Sequence, residues 1–237
     1  MKNKGNLYLI PNVIAEHTAD RVIHPFVKEQ LNTIQHFLAE DIRTARRFLS
    51  SLKIYTSIES LNFSVLNKDT SARELDQLMK PLSSGSNMGV ISESGCPGVA
   101  DPGAMAVAYA HELDIRVIPL VGPSSILLAL MASGLNGQHF AFHGYLPVDG
   151  HELSKAIRTF ERESKTKNQT QIFIETPYRN NHVFSSLIKT LDLSTRLCVA
   201  VDITGTNERI QTKPVSDWKG LSIEWPKLPA VFLFLAH

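Results

Sequence analysis

The residues best placed to do chemistry follow the apolar run Met88–Ile91. They read Ser92-Glu93-Ser94-Gly95-Cys96-Pro97-Gly98-Val99-Ala100-Asp101-Pro102-Gly103. Glycines at this density let a backbone pass close to a ligand. In a parallel α/β sheet, ligands sit just beyond the carboxyl ends of the strands. Two more loops share the grammar of apolar strand, small or turn residues, then helix start: Val121–Ser125 and Glu175–Arg179. Their backbone N–H groups suit a ligand that offers a carboxylate or hydroxyls and a flat ring for an apolar slot. Cys96 is the thiol of the first loop. A reactive thiolate needs a neighbouring cation or a helix N-terminus, and the nearest fixed charge in sequence is Glu93. Cys96 therefore reads as a small neutral residue that offers its backbone.

Several other chemistries are excluded by spacing. The chain has no G-x-x-x-x-G-K-[ST] phosphate loop, no G-x-G-x-x-G fingerprint and no G-x-S-x-G elbow. His111-Glu112 and His151-Glu152 each lack a second histidine four residues on, so no metal is expected. The two cysteines, Cys96 and Cys198, form no C-x-x-C pair. Lys and Arg total 24 against 23 Asp and Glu. No general basic character advertises nucleic acid, although a local patch can hide in a neutral total. No run is long enough to span a membrane, and the N-terminal Met1-Lys2-Asn3-Lys4-Gly5 leads straight into a strand without a signal-like apolar region. The expectation is a cytoplasmic protein.

Positioning these loops requires alternating strands and helices. Leu7–Ile10, stopped by Pro11, reads as a first strand. The spacing of Val27, Leu31, Ile34 and Leu38 predicts an amphipathic helix from His24 to about His36. Phe37-Leu38-Ala39 reads as a second strand ending at Glu40-Asp41, and Arg43–Leu52 as a helix with a basic face. Ser71 and Glu74 form a capping box that opens a helix closed by Pro81. Met88–Ile91 and Arg116–Leu120 are strands, and Asp101-Pro102 suits N-cap and first helical position between them. This alternation predicts a mostly parallel sheet over residues 1–120. Residues 121–237 read as a second α+β domain with a mixed sheet. It opens on the hinge Gly122-Pro123-Ser124-Ser125 and an apolar helix, Ile126–Ala132. Strands follow at Phe140–Phe142, Gln171–Ile174, Leu197–Val201 and Val231–Leu235, with a charged helix at Glu152–Glu163. The polar stretch Glu161–Gln171 reads as an exposed loop, and Thr176-Pro177 as another helix start.

The same loops carry a resemblance to the tetrapyrrole methylase superfamily, and within it to the small-subunit ribosomal RNA cytidine-2′-O-ribose methyltransferases. Leu7-Tyr8-Leu9-Ile10-Pro11 is similar to the family's first strand, and Ala39-Glu40-Asp41-Ile42-Arg43 to its A-E-D-T-R. Ser92–Pro97 with Asp101-Pro102-Gly103 resembles S-D-A-G-T-P…D-P-G. Gly122-Pro123-Ser124 resembles G-P-[SC], Phe142–Pro147 resembles F-x-G-F-L-P, and Glu175–Arg179 resembles E-[ST]-P-x-R. Six motifs in order over nearly the whole chain make the resemblance specific. It implies S-adenosylmethionine held in a cleft between two α/β domains, in a homodimer. By position, Ser94, Gly95, Cys96 and Val99 would line the cofactor from the first loop, and Ser124 and Ser125 from the hinge. Glu175, Ala200 and Ala230 would touch it from the second domain.

The departures fall elsewhere. The family's P-T-P-I-G-N-L becomes Pro11-Asn12-Val13-Ile14-Ala15-Glu16-His17, losing a glycine and gaining an acid. Its A-R-E-L-T-K-x-x-E becomes Ala200–Glu208, losing an arginine and a lysine, cations of the kind that hold phosphates. A ribose hydroxyl is a poor nucleophile, so a base would help methyl transfer. Among Glu93, Asp101, Glu40, Asp41 and Glu175, the choice falls on Glu93 and Glu175; Asp101 reads equally well as a cap. The leading expectation is 2′-O-methylation of a ribose in small-subunit ribosomal RNA, with Arg43, Arg46, Arg47 and Arg179 as a local basic surface. A small-molecule, tetrapyrrole-like methyltransferase and a non-catalytic S-adenosylmethionine-binding homologue are the alternatives.

Overall fold

In the computed structural model the chain divides into two compact units, Met1–Ser124 and Ser125–His237. The structure describes residues 4–237; Met1, Lys2 and Asn3, read above as running into the first strand, lie outside the described residues.

The first unit runs β1 (Leu7–Ile10), α1 (Ala19–Val22), α2 (Pro25–Leu31), β2 (His36–Ala39), α3 (Ile42–Ser51), β3 (Asn62–Val65), α4 (Ala72–Ser83), β4 (Met88–Ile91), α5 (Gly103–Glu112) and β5 (Val117–Pro119). Its five strands lie in the order β3-β2-β4-β1-β5, all parallel. Ile91 stands opposite both Ile10 and Ala39, so these strands end at one level and their loops leave from one edge. Both faces are covered, which is why the inner strands β1 and β4 read as unbroken apolar runs. Ile10, Phe37 and Ile91 pack with Val27 of α2 and Phe48 of α3. Leu7, Leu38 and Val90 pack on the opposite face with Met79 of α4 and Ala106 of α5.

The second unit runs α6 (Ser125–Ser133), β6 (Phe140–Tyr145), α7 (Gly150–Lys167), β7 (Thr170–Glu175), α8 (Asn180–Thr190), β8 (Arg196–Val201), β9 (Arg209–Pro214), α9 (Val215–Lys219) and β10 (Ala230–Leu235). Its sheet has the order β6-β7-β10-β8-β9. Only β6 and β7 are parallel; the other pairs are antiparallel, giving the expected mixed sheet. Phe173, Val199 and Phe232 face α7 and α8, with Trp218 and Trp225 closing that core. Ile172, Cys198 and Val231 face α6. The alternation along each strand assigns successive residues to opposite cores.

Several predicted boundaries move. The helix predicted to reach His36 ends at Leu31, because Ile34 already belongs to a turn bonded to the Leu31 carbonyl before β2. Ile34 is buried without being helical, so burial alone mimicked helical spacing. Pro81 does not close α4 but lies inside it, in a last turn that runs on to Ser83. The segment Glu161–Gln171 is not an exposed loop. α7 continues through it to Lys167, Asn168 takes a left-handed cap at φ 48°, and β7 begins at Thr170. Its polarity is that of a solvated helix face followed by buried polar side chains: Ser164, Gln169 and Gln171 are all shielded. Two of the edge strands, β3 and β9, went unpredicted: β3 is only four residues long with none of them buried, and β9 carries no clean apolar alternation. Among the described residues no helix is long and apolar enough to cross a membrane.

Candidate active site

The chain leaves β2 toward β3 on one side and leaves β4 toward β5 on the other. The helices that follow, α3 and α5, pack on opposite faces of the sheet. The loops after β2 and β4 therefore part from each other, leaving a crevice at a topological switch point. Ala39, Glu40, Ile91, Ser92, Glu93 and Asp101 line it. The sequence placed the chemistry in the loop after β4, and the fold sets that loop at the centre of the edge.

This loop is pinned on three sides. From the segment after β1, the Asn12 side-chain amide donates to the carbonyls of Ser92 at 3.0 Å and Glu93 at 3.1 Å. The Asn12 backbone N–H donates to the Gly95 carbonyl at 2.9 Å. From within, Asp101 Oδ1 accepts from the N–H groups of Gly98 at 2.6 Å and Gly103 at 2.8 Å. From beyond β5, the Pro123 carbonyl receives the Cys96 thiol at 3.4 Å. Gly95 has φ +70°, and a Cβ there would stand 3.4 Å from the Pro123 oxygen. The position thus favours glycine through its backbone angle and leaves little room beside the neighbouring loop. Gly122 is more constrained, since its Cβ would fall 2.1 Å from Pro11.

These contacts correct two local readings. Asp101 is not the helix N-cap: α5 starts at Gly103 with Pro102 as its cap, and the Asp101 carboxylate instead folds the loop back on itself. Likewise Thr176-Pro177 forms a turn, and α8 starts three residues later at Asn180 with Arg179 as cap. Asn12 was missed as a functional residue. It falls in the departed Pro11–His17 segment, and only the adjacency of β1 to β4 shows that it holds the loop.

The electrostatics of the edge are acidic. Partial desolvation, then the nearby Glu40 and Asp41 carboxylates, raise the Glu93 pKa above its ordinary value. Asp41 is itself lowered by accepting the Thr44 backbone N–H at the start of α3. Burial and then Asp101 push the Cys96 thiol up, which keeps it neutral, as its surroundings in the sequence suggested. Ser94 and Val99 are exposed on the loop, Cys96 is half-buried and Gly95 is buried. Ser124 ends the first unit and Ser125 opens α6.

In the second unit the sheet brings Glu175 directly opposite Ala230, and Ala230 opposite Val201. Ala200 stands opposite Val231, which fixes its register. The Ala200 side chain belongs to the α6 core, whereas Ala230 belongs to the α7–α8 core, so their side chains point to opposite faces. Glu175 is buried; Oε1 accepts from the Thr176 N–H at 2.7 Å and Oε2 faces Arg179 Nη1 at 3.2 Å. Arg179 also donates to the carbonyls of Leu146 and Pro147. It is therefore a structural cation, not part of a basic surface. Arg43, Arg46 and Arg47 are exposed along α3, with Arg46 over the Phe63 ring at 5.1 Å. The segment that lost its cations is a self-bonded turn, in which Asp202 accepts from Gly205 and Asn207, and Glu208 from Thr204. Among the described residues, no group of three or more His, Cys, Asp or Glu could hold a metal ion.

The fold is that of solved methyltransferases. The methyltransferase CobJ matches 98% of this chain and all of its own, with a TM-score of 0.59 and 16% identity. The uroporphyrin-III-C-methyltransferase from Thermus thermophilus covers 98% of this chain and 92% of its own at TM-score 0.55, also at 16% identity. Sequence similarity reaches further. The ribosomal RNA small subunit methyltransferase I of Escherichia coli O157:H7 is 29% identical over 91% of this chain and 71% of its own length. Its namesake in Bacillus subtilis (strain 168) is 31% identical over 79% of this chain and 60% of its own. No family model matches the chain. Fold and sequence similarity together fit the tetrapyrrole methylase superfamily.

Proposed function

We propose that this protein is an S-adenosylmethionine-dependent methyltransferase that methylates a ribose 2′-hydroxyl in small-subunit ribosomal RNA. The observation that carries the reading is the loop after β4. It is held rigidly by Asn12, Asp101 and Pro123 and presents backbone groups at the switch point, in a chain similar along nine-tenths of its length to ribosomal RNA methyltransferases. The donor set fits the cofactor. Ser94 offers a hydroxyl, Gly95 and Cys96 offer backbone, Val99 offers an apolar contact, and the acidic surroundings suit a cationic sulfonium. Ser124 in the first unit, and Ser125, Glu175, Ala200 and Ala230 in the second, are the remaining candidate cofactor contacts.

When bound, S-adenosylmethionine supplies an electrophilic methyl group on a good leaving group. The protein's task is then to align the acceptor and exclude water. Glu93 takes the hydroxyl proton on a carboxylate oxygen as the acceptor oxygen gains the methyl group. It is preferred to Glu175, whose carboxylate is already occupied by Thr176 and Arg179. A raised pKa brings Glu93 nearer to working pH, where a general base is most effective.

Two measurements test the reading. Calorimetry should show S-adenosylmethionine binding to the wild type and none to Gly95→Asp; wild type without binding rules out the enzyme. Tritiated methyl should then pass to small ribosomal subunits from a strain lacking the gene and not to those of its parent. Binding without any RNA labelling would turn the assignment toward a small-molecule acceptor.

A further inference from the structure

A groove of about 620 Å³ opens beside Glu93 within the first unit, between the segment after β1 and helix α3. Its volume lies within the roughly 300–1,000 Å³ typical of ligand sites. Val13, Ile14 and Phe48 give it an apolar lining. Arg47 on α3 and Lys53 just past its end supply two cations, and Glu93 lies on the same groove.

Two acids of the groove, Asp20 and Glu16, are already matched. Asp20 pairs with Lys28 at 3.0 Å. Glu16 faces Arg47 at 3.6 Å, with both side chains about three-quarters exposed (76% and 74%). An exposed pair of this kind holds its partners weakly, so Arg47 is available to a stronger anion. A guanidinium binds phosphate in a fork and an ammonium as a point charge. The groove therefore offers an apolar slot, two phosphate-binding cations and, at Glu93, a proton acceptor, in one cavity.

Resting on the reading of the protein as a ribosomal RNA 2′-O-methyltransferase, we propose that this groove binds the acceptor nucleotide. Arg47 and Lys53 hold phosphate beside the ribose, and its hydroxyl lies at the Glu93 end. Glu16, the acid in the departed segment, competes with phosphate for Arg47. Substitutions on the two walls should then act in opposite directions, which a merely structural role does not predict.

The experiment measures steady-state methylation of small subunits from a strain lacking the gene, at a series of salt concentrations, with S-adenosylmethionine affinity measured in parallel. The paired change Arg47→Gln with Lys53→Gln should raise KM for the subunit severalfold. It should also reduce the slope of log KM against log salt by about 1.4–1.8, roughly 0.7–0.9 for each phosphate no longer neutralised, without changing cofactor affinity. Glu16→Gln should lower KM. Lys189→Gln on α8 is the control and should leave KM unchanged. Far-UV circular dichroism confirms that each variant is folded. The proposal is overturned if the wild type methylates subunits but the paired variant keeps its KM and salt slope, or if Glu16→Gln raises KM. A wild type that binds cofactor and labels no RNA instead overturns the functional reading, and this proposal with it.

Discussion

Glu93 combines an electrostatic strain with a place to use it. Its carboxylate is shielded from full solvation and stands near Glu40 and Asp41, and all three effects favour the protonated form. A base must be ionised to work, so activity should fall as pH drops through the Glu93 pKa. The acid limb of kcat/KM is expected above the ordinary value for a glutamate. Removing the neighbouring charges with Glu40→Gln and Asp41→Asn should move that limb to lower pH, whereas a limb belonging to another group would stay in place. Glu93→Gln should lower kcat by about 10²–10⁴-fold, the usual weight of a general base, with cofactor affinity intact. Equal loss of cofactor binding would reassign Glu93 to holding the loop. The sequence singled out Glu93 by its position in the loop alone. The Glu40 and Asp41 effect was not legible, because it depends on β2 lying beside β4, an adjacency between strands about fifty residues apart in the chain.

At the level of elements, the site depends on three parallel strands ending together and on one side chain that ties two of their loops. Strand ends were readable where proline or small residues stop an apolar run, as at Ile10 and Ile91, and both stand as predicted. Helix ends were less readable, since Ile34 imitates helical spacing from a turn and the solvated face of α7 imitates a loop. Asn12 shows the same limit at the site. Its residue type suggested a lost motif, yet its amide reaches the Ser92 and Glu93 carbonyls across eighty residues of sequence. Asn12→Ala leaves these two acceptors without their partner in a largely buried place. Denaturant unfolding should show a loss of about 1–3 kcal/mol, accompanied by weaker S-adenosylmethionine binding. Asn12→Asp should be worse than alanine, because it turns a donor into an anion facing two carbonyls. An aspartate variant as stable as wild type would mean that the amide does not hold the loop.

Across the whole molecule the alternation of strands and helices predicted one parallel and one mixed sheet, and the two sheets have that character. The order of strands was not legible, because apolar runs specify burial and not neighbours. Each unit has its own cores, which gives each the means to resist unfolding by itself. Both of the chain's tryptophans, Trp218 and Trp225, lie in the second unit, packed edge-on against Phe184 and each other. Their fluorescence therefore reports that unit, while far-UV circular dichroism reports both. A ligand at a hundred times its Kd stabilises what it binds by about 2.7 kcal/mol, enough to raise a midpoint by several degrees in a domain of this size. If Ser125, Glu175, Ala200 and Ala230 contact the cofactor, S-adenosylmethionine should raise the fluorescence midpoint as well as the dichroism midpoint. If the first unit alone holds the cofactor and the units unfold separately, the dichroism transition should split with ligand while the fluorescence midpoint stays fixed. That second outcome would confine the cofactor contacts to Ser94, Gly95, Cys96, Val99 and Ser124.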